Sequence, residues 1–147
     1  MQPIHCPSDR NMAEKYWGKR SQLAYVFKTL LNCGTQLAFG SDLPFYDFDP
    51  LKGIYSAATR KKGKNDIAWN PKEKISVSQA VYAYTKGAAY ASYEENIRGS
   101  LETGKLADLV VLSNDIFKIA PDDLLKTKVL ATVWDGKIVY NQGFLEL

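Results

Sequence analysis

Few side chains in this sequence combine a reactive type with a telling position. The first is Asp42, in the stretch Gln36-Leu37-Ala38-Phe39-Gly40-Ser41-Asp42-Leu43-Pro44. An apolar run rises to Phe39, turns at Gly40-Ser41, and delivers a carboxylate just before a proline. Two readings stand. The segment is a buried strand whose C-terminal end presents an acid, the place where (β/α) architectures put their chemistry. Equally, Gly, Ser, Asp and Pro are all turn residues, and the segment is only a turn. His5 is the sole histidine, so this chain alone cannot build a His-rich metal site. Cys6 beside it suggests a nucleophilic Cys–His pair, but neighbours in an extended segment point to opposite sides, which argues against one. Asp108 sits between a turn and an apolar run, where an aspartate ordinarily bonds turn backbone groups.

Elements must position these groups. Met12 to Trp17 reads as a short helix ending at Gly18, after loop chemistry at Pro7-Ser8-Asp9. A second helix is predicted from about Arg20 to Asn32, with Leu23, Phe27, Leu30 and Leu31 on one face and Gly34 at its end. The Leu37 strand follows at once, giving a βα repeat in a mostly parallel sheet. Asp49-Pro50 starts a helix as N-cap and first-turn proline, with Leu51, Ile54, Tyr55 and Ala58 facing inward. Ser76-x-x-Gln79 is a capping box, and Thr85 is placed to cap a second short helix. From Gly99 the pattern turns to β. A short strand is expected at Ser100-Leu101, an apolar strand at Leu109 to Leu112, a short helix from Pro121, and a hairpin about Asp135-Gly136.

Composition narrows the class. The chain has 147 residues, 46 % hydrophobic and 24 % charged, as a globular domain would. Its net charge of +3 is modest, and Arg60-Lys61-Lys62-Gly63-Lys64 reads as a solvated loop, with binding of an anionic partner the weaker reading. No nucleic-acid partner and no membrane partner is expected. Two cysteines make no disulfide framework, which suits a reducing, cytoplasmic setting. Trp69 reads as a packing anchor in a polar surface loop.

Taken together, four motifs resemble the C-terminal part of a metal-dependent amidohydrolase, of the amidohydrolase 3 or YtcJ-like branch. They are Gln2-Pro3-x-His5, Leu37 to Pro44, Tyr84-Thr85-x-Gly87-Ala88-Ala89-Tyr90-Ala91, and Gly99-Ser100-Leu101-x-x-Gly104-Lys105-x-Ala107-Asp108-Leu109-Val110-Val111-Leu112. The terminal Val133-x-x-Gly136-x-x-Val139-Tyr140 hairpin also fits.

The resemblance implies an α/β fold: the last part of a (β/α)8 TIM barrel over residues 1–96, then part of a β-sandwich composite domain over 97–147. Met1 to His5 would end barrel strand seven, and Leu37 to Asp42 would be strand eight. It also implies a divalent metal, with zinc expected, bound by the full-length parent and not by this chain alone. Asp42 would touch that metal and act as catalytic proton acceptor, and His5 would line the pocket and contact substrate. The parent would hydrolyse amide or cyclic amide C–N bonds of a small molecule. The histidines and strands that complete such a site have no counterpart in this sequence, so the chain is expected to be an inactive fragment. A self-associating, non-catalytic α/β module is the alternative, because an open parallel-sheet edge invites pairing; a homo-oligomer is expected.

Overall fold

The computed structural model describes residues 1–144. Among the described residues there are five α-helices and three strands: α1 (His5–Trp17), α2 (Phe27–Asn32), α3 (Pro50–Thr59), α4 (Val77–Tyr84), α5 (Lys86–Ala91), β1 (Leu109–Leu112), β2 (Val129–Trp134) and β3 (Lys137–Asn141). Three 3-10 helices, Gly18–Leu23, Pro71–Glu73 and Pro121–Lys126, lie between them. Among the described residues, no helix is long and apolar enough to cross a membrane.

Several elements form where local chemistry dictates. The Asp49 side chain accepts from Leu51 N at 2.9 Å, and Pro50 opens α3. Ser76 and Gln79 close both halves of the capping box on α4. Asp135 and Gly136 both take positive φ, 49° and 73°, as a two-residue hairpin loop whose twist matches its strands requires. The sheet runs β1-β2-β3, all antiparallel, with Val110 opposite Thr132 and Ala131 opposite Asn141. Thr85 precedes α5 without capping it; its hydroxyl instead donates back to the Val81 carbonyl at 2.8 Å.

Other expectations are corrected as well. First, α1 starts at His5, so His5 is helical rather than the end of a strand, and Pro7 to Asp9 lie inside the helix. His5 N donates to Gln2 O and Cys6 N to Pro3 O, so the initial turn feeds the helix directly. Pro7 is the third helical residue, where the amide it lacks would have no intrahelical partner. Second, the single helix expected over 20–32 is two pieces. Tyr25 takes φ 53°, and its carbonyl is held at 2.6 Å by Arg60 Nη1, a partner distant in sequence. Leu23, on the wrong side of this break, is 74 % exposed, whereas Phe27 is buried.

Third, residues 37–40 run extended beside Met1 but form no strand of a sheet, and Ser100-Leu101 forms no strand either, with Leu101 exposed. The parallel sheet is reduced to a single bridge: Met1 N donates to Ala38 O at 2.6 Å, and Gly40 N donates to Met1 O at 3.3 Å. That reciprocal pattern is one rung of a parallel ladder centred on Phe39. The rest of the segment leans on α4, with Phe39 N bonded to Ala83 O at 2.9 Å.

The core sits between α3, α4 and this extended segment. Leu37, Phe39, Ile54, Tyr55, Ala57 and Ala80 are buried in it. Phe27, Phe39 and Tyr84 stack edge to face, with centroids 5.2 and 5.6 Å apart. Each such pair is worth about 0.5–1.5 kcal/mol beyond area burial. Arg60, read as part of a solvated loop, is instead 0 % exposed. Trp69 is 3 % exposed, a packing anchor.

Candidate functional site

Asp42 stands where the buried segment leaves the core. Leu37 and Phe39 face inward, and the chain turns outward at Gly40. Asp42 itself takes φ 59°, a left-handed backbone that aspartate tolerates better than most residues. Its carbonyl accepts from Phe45 N at 2.9 Å, and the Ser41 hydroxyl donates to Phe48 O at 3.1 Å. These bonds close the aromatic loop 43–48 over the acid. Farther round the loop, the Asp47 carboxylate pairs with Lys52 and accepts from Asp49 N; these contacts hold it below the usual carboxylate range.

His5 comes to Asp42 from the first turn of α1. Its Nε2 lies 3.3 Å from Asp42 Oδ2, with side chains 19 % and 40 % exposed. Nε2 is buried and makes no aligned hydrogen bond, so the contact is one of proximity. The Tyr46 ring covers the imidazole, with centroids 4.3 Å apart and planes tilted by 33°. One turn further along α1, Asp9 accepts the Tyr25 hydroxyl; burial first, and then this bond, push that phenol up. Arg60 lies farther in: Nε donates to Trp69 O at 2.8 Å, and the guanidinium sits over both the Phe27 and Trp69 rings. Cys6 points into the core, where burial pushes its thiol up to about 12, so no Cys–His nucleophile is formed.

A divalent metal can be tested against this donor set. Two ligand atoms on one tetrahedral zinc, with bonds of about 2.0–2.1 Å, stand roughly 3.3 Å apart. The His5 and Asp42 atoms are at that separation, and Nε2 has no hydrogen bond to give up. They supply only two donors, and among the described residues no three His, Cys, Asp or Glu side chains cluster as a metal site. The described residues therefore offer a metal a partial edge.

Asp108 is structural, as its sequence position suggests: Oδ1 accepts from Asp135 N at 2.8 Å and ties β1 to the hairpin turn. A groove of about 1270 Å³ runs past Gly40, Ser41, Phe48, Tyr84 and Val110, but neither His5 nor Asp42 lines it. Sequence reasoning missed the Tyr46 ring against His5, and beyond it the bonds made by Tyr25 and Arg60. The aromatic loop after Asp42 was the only signal for Tyr46, and none pointed to the other two.

The comparisons with known proteins agree on a family. The profile of the amidohydrolase family matches residues 1–140. The Bacillus subtilis protein YtcJ, assigned by name to the amidohydrolases, is 39 % identical over 146 residues, 97 % of this chain and 28 % of its own length. The Arabidopsis thaliana protein LONG AFTER FAR-RED 3 is 39 % identical over 142 residues, covering 95 % of this chain and 24 % of that protein. Among solved structures, an uncharacterized metal-dependent hydrolase from Pyrococcus horikoshii superposes with TM-score 0.71 at 29 % identity, over 82 % of this chain and 25 % of that one. The chain thus spans about a quarter of the length of these relatives.

Proposed function

Because this chain belongs to the amidohydrolase family, we propose that it carries the acid-bearing C-terminal portion of a metal-dependent hydrolase of amide-type C–N bonds. Asp42 is its proton acceptor, and His5 is a pocket residue that meets substrate. The single observation that carries this reading is the convergence of His5 and Asp42, 3.3 Å apart, from two separate segments. A further similarity supports the bond class: the Arthrobacter pascens N-substituted formamide deformylase is 30 % identical over 118 residues, 80 % of this chain and 22 % of its own length.

In this reading residues 1–96 belong to a (β/α)8 barrel, and 97–147 to a second, β-rich unit whose last three residues lie outside the described ones. The one parallel rung between Met1 and Phe39 supports the barrel assignment. A divalent metal, proposed to be zinc, would supply Lewis acidity beside Asp42 when bound. The chain's own residues do the rest. Asp42 takes a proton from the attacking water and returns it to the leaving nitrogen. His5, fixed on α1 and covered by Tyr46, orients the substrate's polar group and keeps it against the acid. The other metal donors belong to the remaining three quarters of such an enzyme.

The test is a zinc titration of the purified chain together with an amide-hydrolysis assay. Weak zinc binding and no turnover are expected. Tight stoichiometric zinc with turnover by the isolated chain would overturn the view that its site is partial.

A further inference from the structure

The last residues of α4 grip the segment that delivers the acid at two points. Ala83 O accepts from Phe39 N at 2.9 Å. The next residue, Tyr84, donates its hydroxyl to Gly40 O at 3.3 Å, two residues before Asp42. The phenol reaches that carbonyl by crossing α3 at Gly53. A Cβ built on Gly53 would stand 1.9 Å from Tyr84 Oη and 2.8 Å from Cζ, so only glycine admits the ring there. Gly87 plays the matching part on α5: a Cβ there would meet the Leu37 carbonyl oxygen at 2.1 Å. The extended segment is thus seated in a socket that two glycines leave open and Tyr84 closes.

We propose that Tyr84 is a positioning residue for Asp42, its hydroxyl fixing the Gly40 carbonyl and with it the direction in which the Ser41–Asp42 turn presents the carboxylate to His5. This rests on the reading of Asp42 as the acid of the site. The geometry has a physical motive. Asp42 sits in a left-handed backbone conformation, which persists only where the surroundings hold it. Ser41 is held by its bond to Phe48 O, so the carbonyl before it and the hydroxyl on it are both fixed. Burial pushes that phenol up to about 12, so it stays protonated and a donor across the neutral range. The ring's edge-to-face contact with Phe39 does not need the hydroxyl, so the packing and positioning roles can be separated.

The chain provides its own probe, because His5 is its only histidine and gives one set of imidazole resonances. Asp42→Asn is expected to displace those resonances. Tyr84→Phe, which keeps the ring, is expected to displace them too, by less. It should have no effect in the Asp42→Asn background, because the hydroxyl acts through Asp42. Gly53→Ala should reproduce the Tyr84→Phe displacement by pushing the phenol away. Tyr82→Phe, at an exposed position on the same helix, should leave the resonances in place. If Asp42→Asn moves the imidazole but Tyr84→Phe does not, or moves it equally in the Asp42→Asn background, the positioning role is wrong and the pair survives. If Asp42→Asn itself leaves the imidazole unmoved, the pair is not formed, and both readings fall.

Discussion

Truncating Glu73 to alanine is expected to destabilise the chain by about 2 kcal/mol at neutral pH. Glu73 ends the short 3-10 helix after Trp69 and is 5 % exposed. It reaches across to the first turn of α2, where Oε2 accepts from Thr29 N at 2.9 Å and Oε1 accepts from the Thr29 hydroxyl at 2.6 Å. Hydrogen bonds to a charged acceptor contribute about 1.5–3 kcal/mol each. Two would suggest more than 3, but Thr29 is exposed and water replaces the lost carboxylate, so the lower figure applies. In a chain of this length, that lowers the melting temperature by roughly 4–8 °C.

The same carboxylate gives the effect a pH signature. Burial opposes its ionisation, but the two Thr29 bonds and the Arg60 charge outweigh burial and hold it below its ordinary value of 4.5. A depressed folded pKa means the unfolded chain binds the proton first as pH falls. The stabilisation is therefore complete above the unfolded value and is lost as pH drops through the folded one. Urea unfolding followed by circular dichroism, from pH 7 down to pH 3, should show the gap between wild type and Glu73→Ala narrowing with acid. A gap under about 0.5 kcal/mol at pH 7, the range of an ordinary surface change, would refute the reasoning. So would a gap that stays constant or widens on acidification.

Asp49→Ala removes the acceptor for Leu51 N and should lower stability by about 1 kcal/mol in the same urea assay, while Asp49→Asn should recover most of it. Of the two thiols, only exposed Cys33 should alkylate quickly in the native chain at pH 8. Cys6, buried and pushed up to about 12, should react only after denaturation, as mass spectrometry of the labelled chain would show.

Legibility from sequence followed the range of the determining contacts. The Asp49-Pro50 start of α3, the Ser76–Gln79 box and the Asp135-Gly136 turn are each settled within a few residues, and each forms as read. The break at Tyr25 depends on a guanidinium that arrives from Arg60, so periodicity alone ran one helix through it. Arg60 itself looked solvated because it heads a basic run; its burial depends on the Phe27 and Trp69 rings, brought together only by the fold. Leu37 and Phe39 are buried as the apolar pattern suggests, yet a strand is defined by its neighbours, and here one rung to Met1 forms. Asp42 stands out by its place after an apolar run and His5 by the family resemblance, but their approach depends on α1 beginning at His5, against the strand reading of that stretch.

The central claim is that Asp42 is the proton-accepting acid of an amidohydrolase site, and one comparison addresses it most directly. Residues 1–140 replace the matching segment of the Bacillus subtilis YtcJ protein, once with Asp42 intact and once with Asp42→Asn, and amide hydrolysis is measured at saturating zinc. The account predicts that the substitution lowers kcat by about 10²–10⁴-fold, the usual contribution of a positioned acid or base. Equal rates from the two grafts would contradict it.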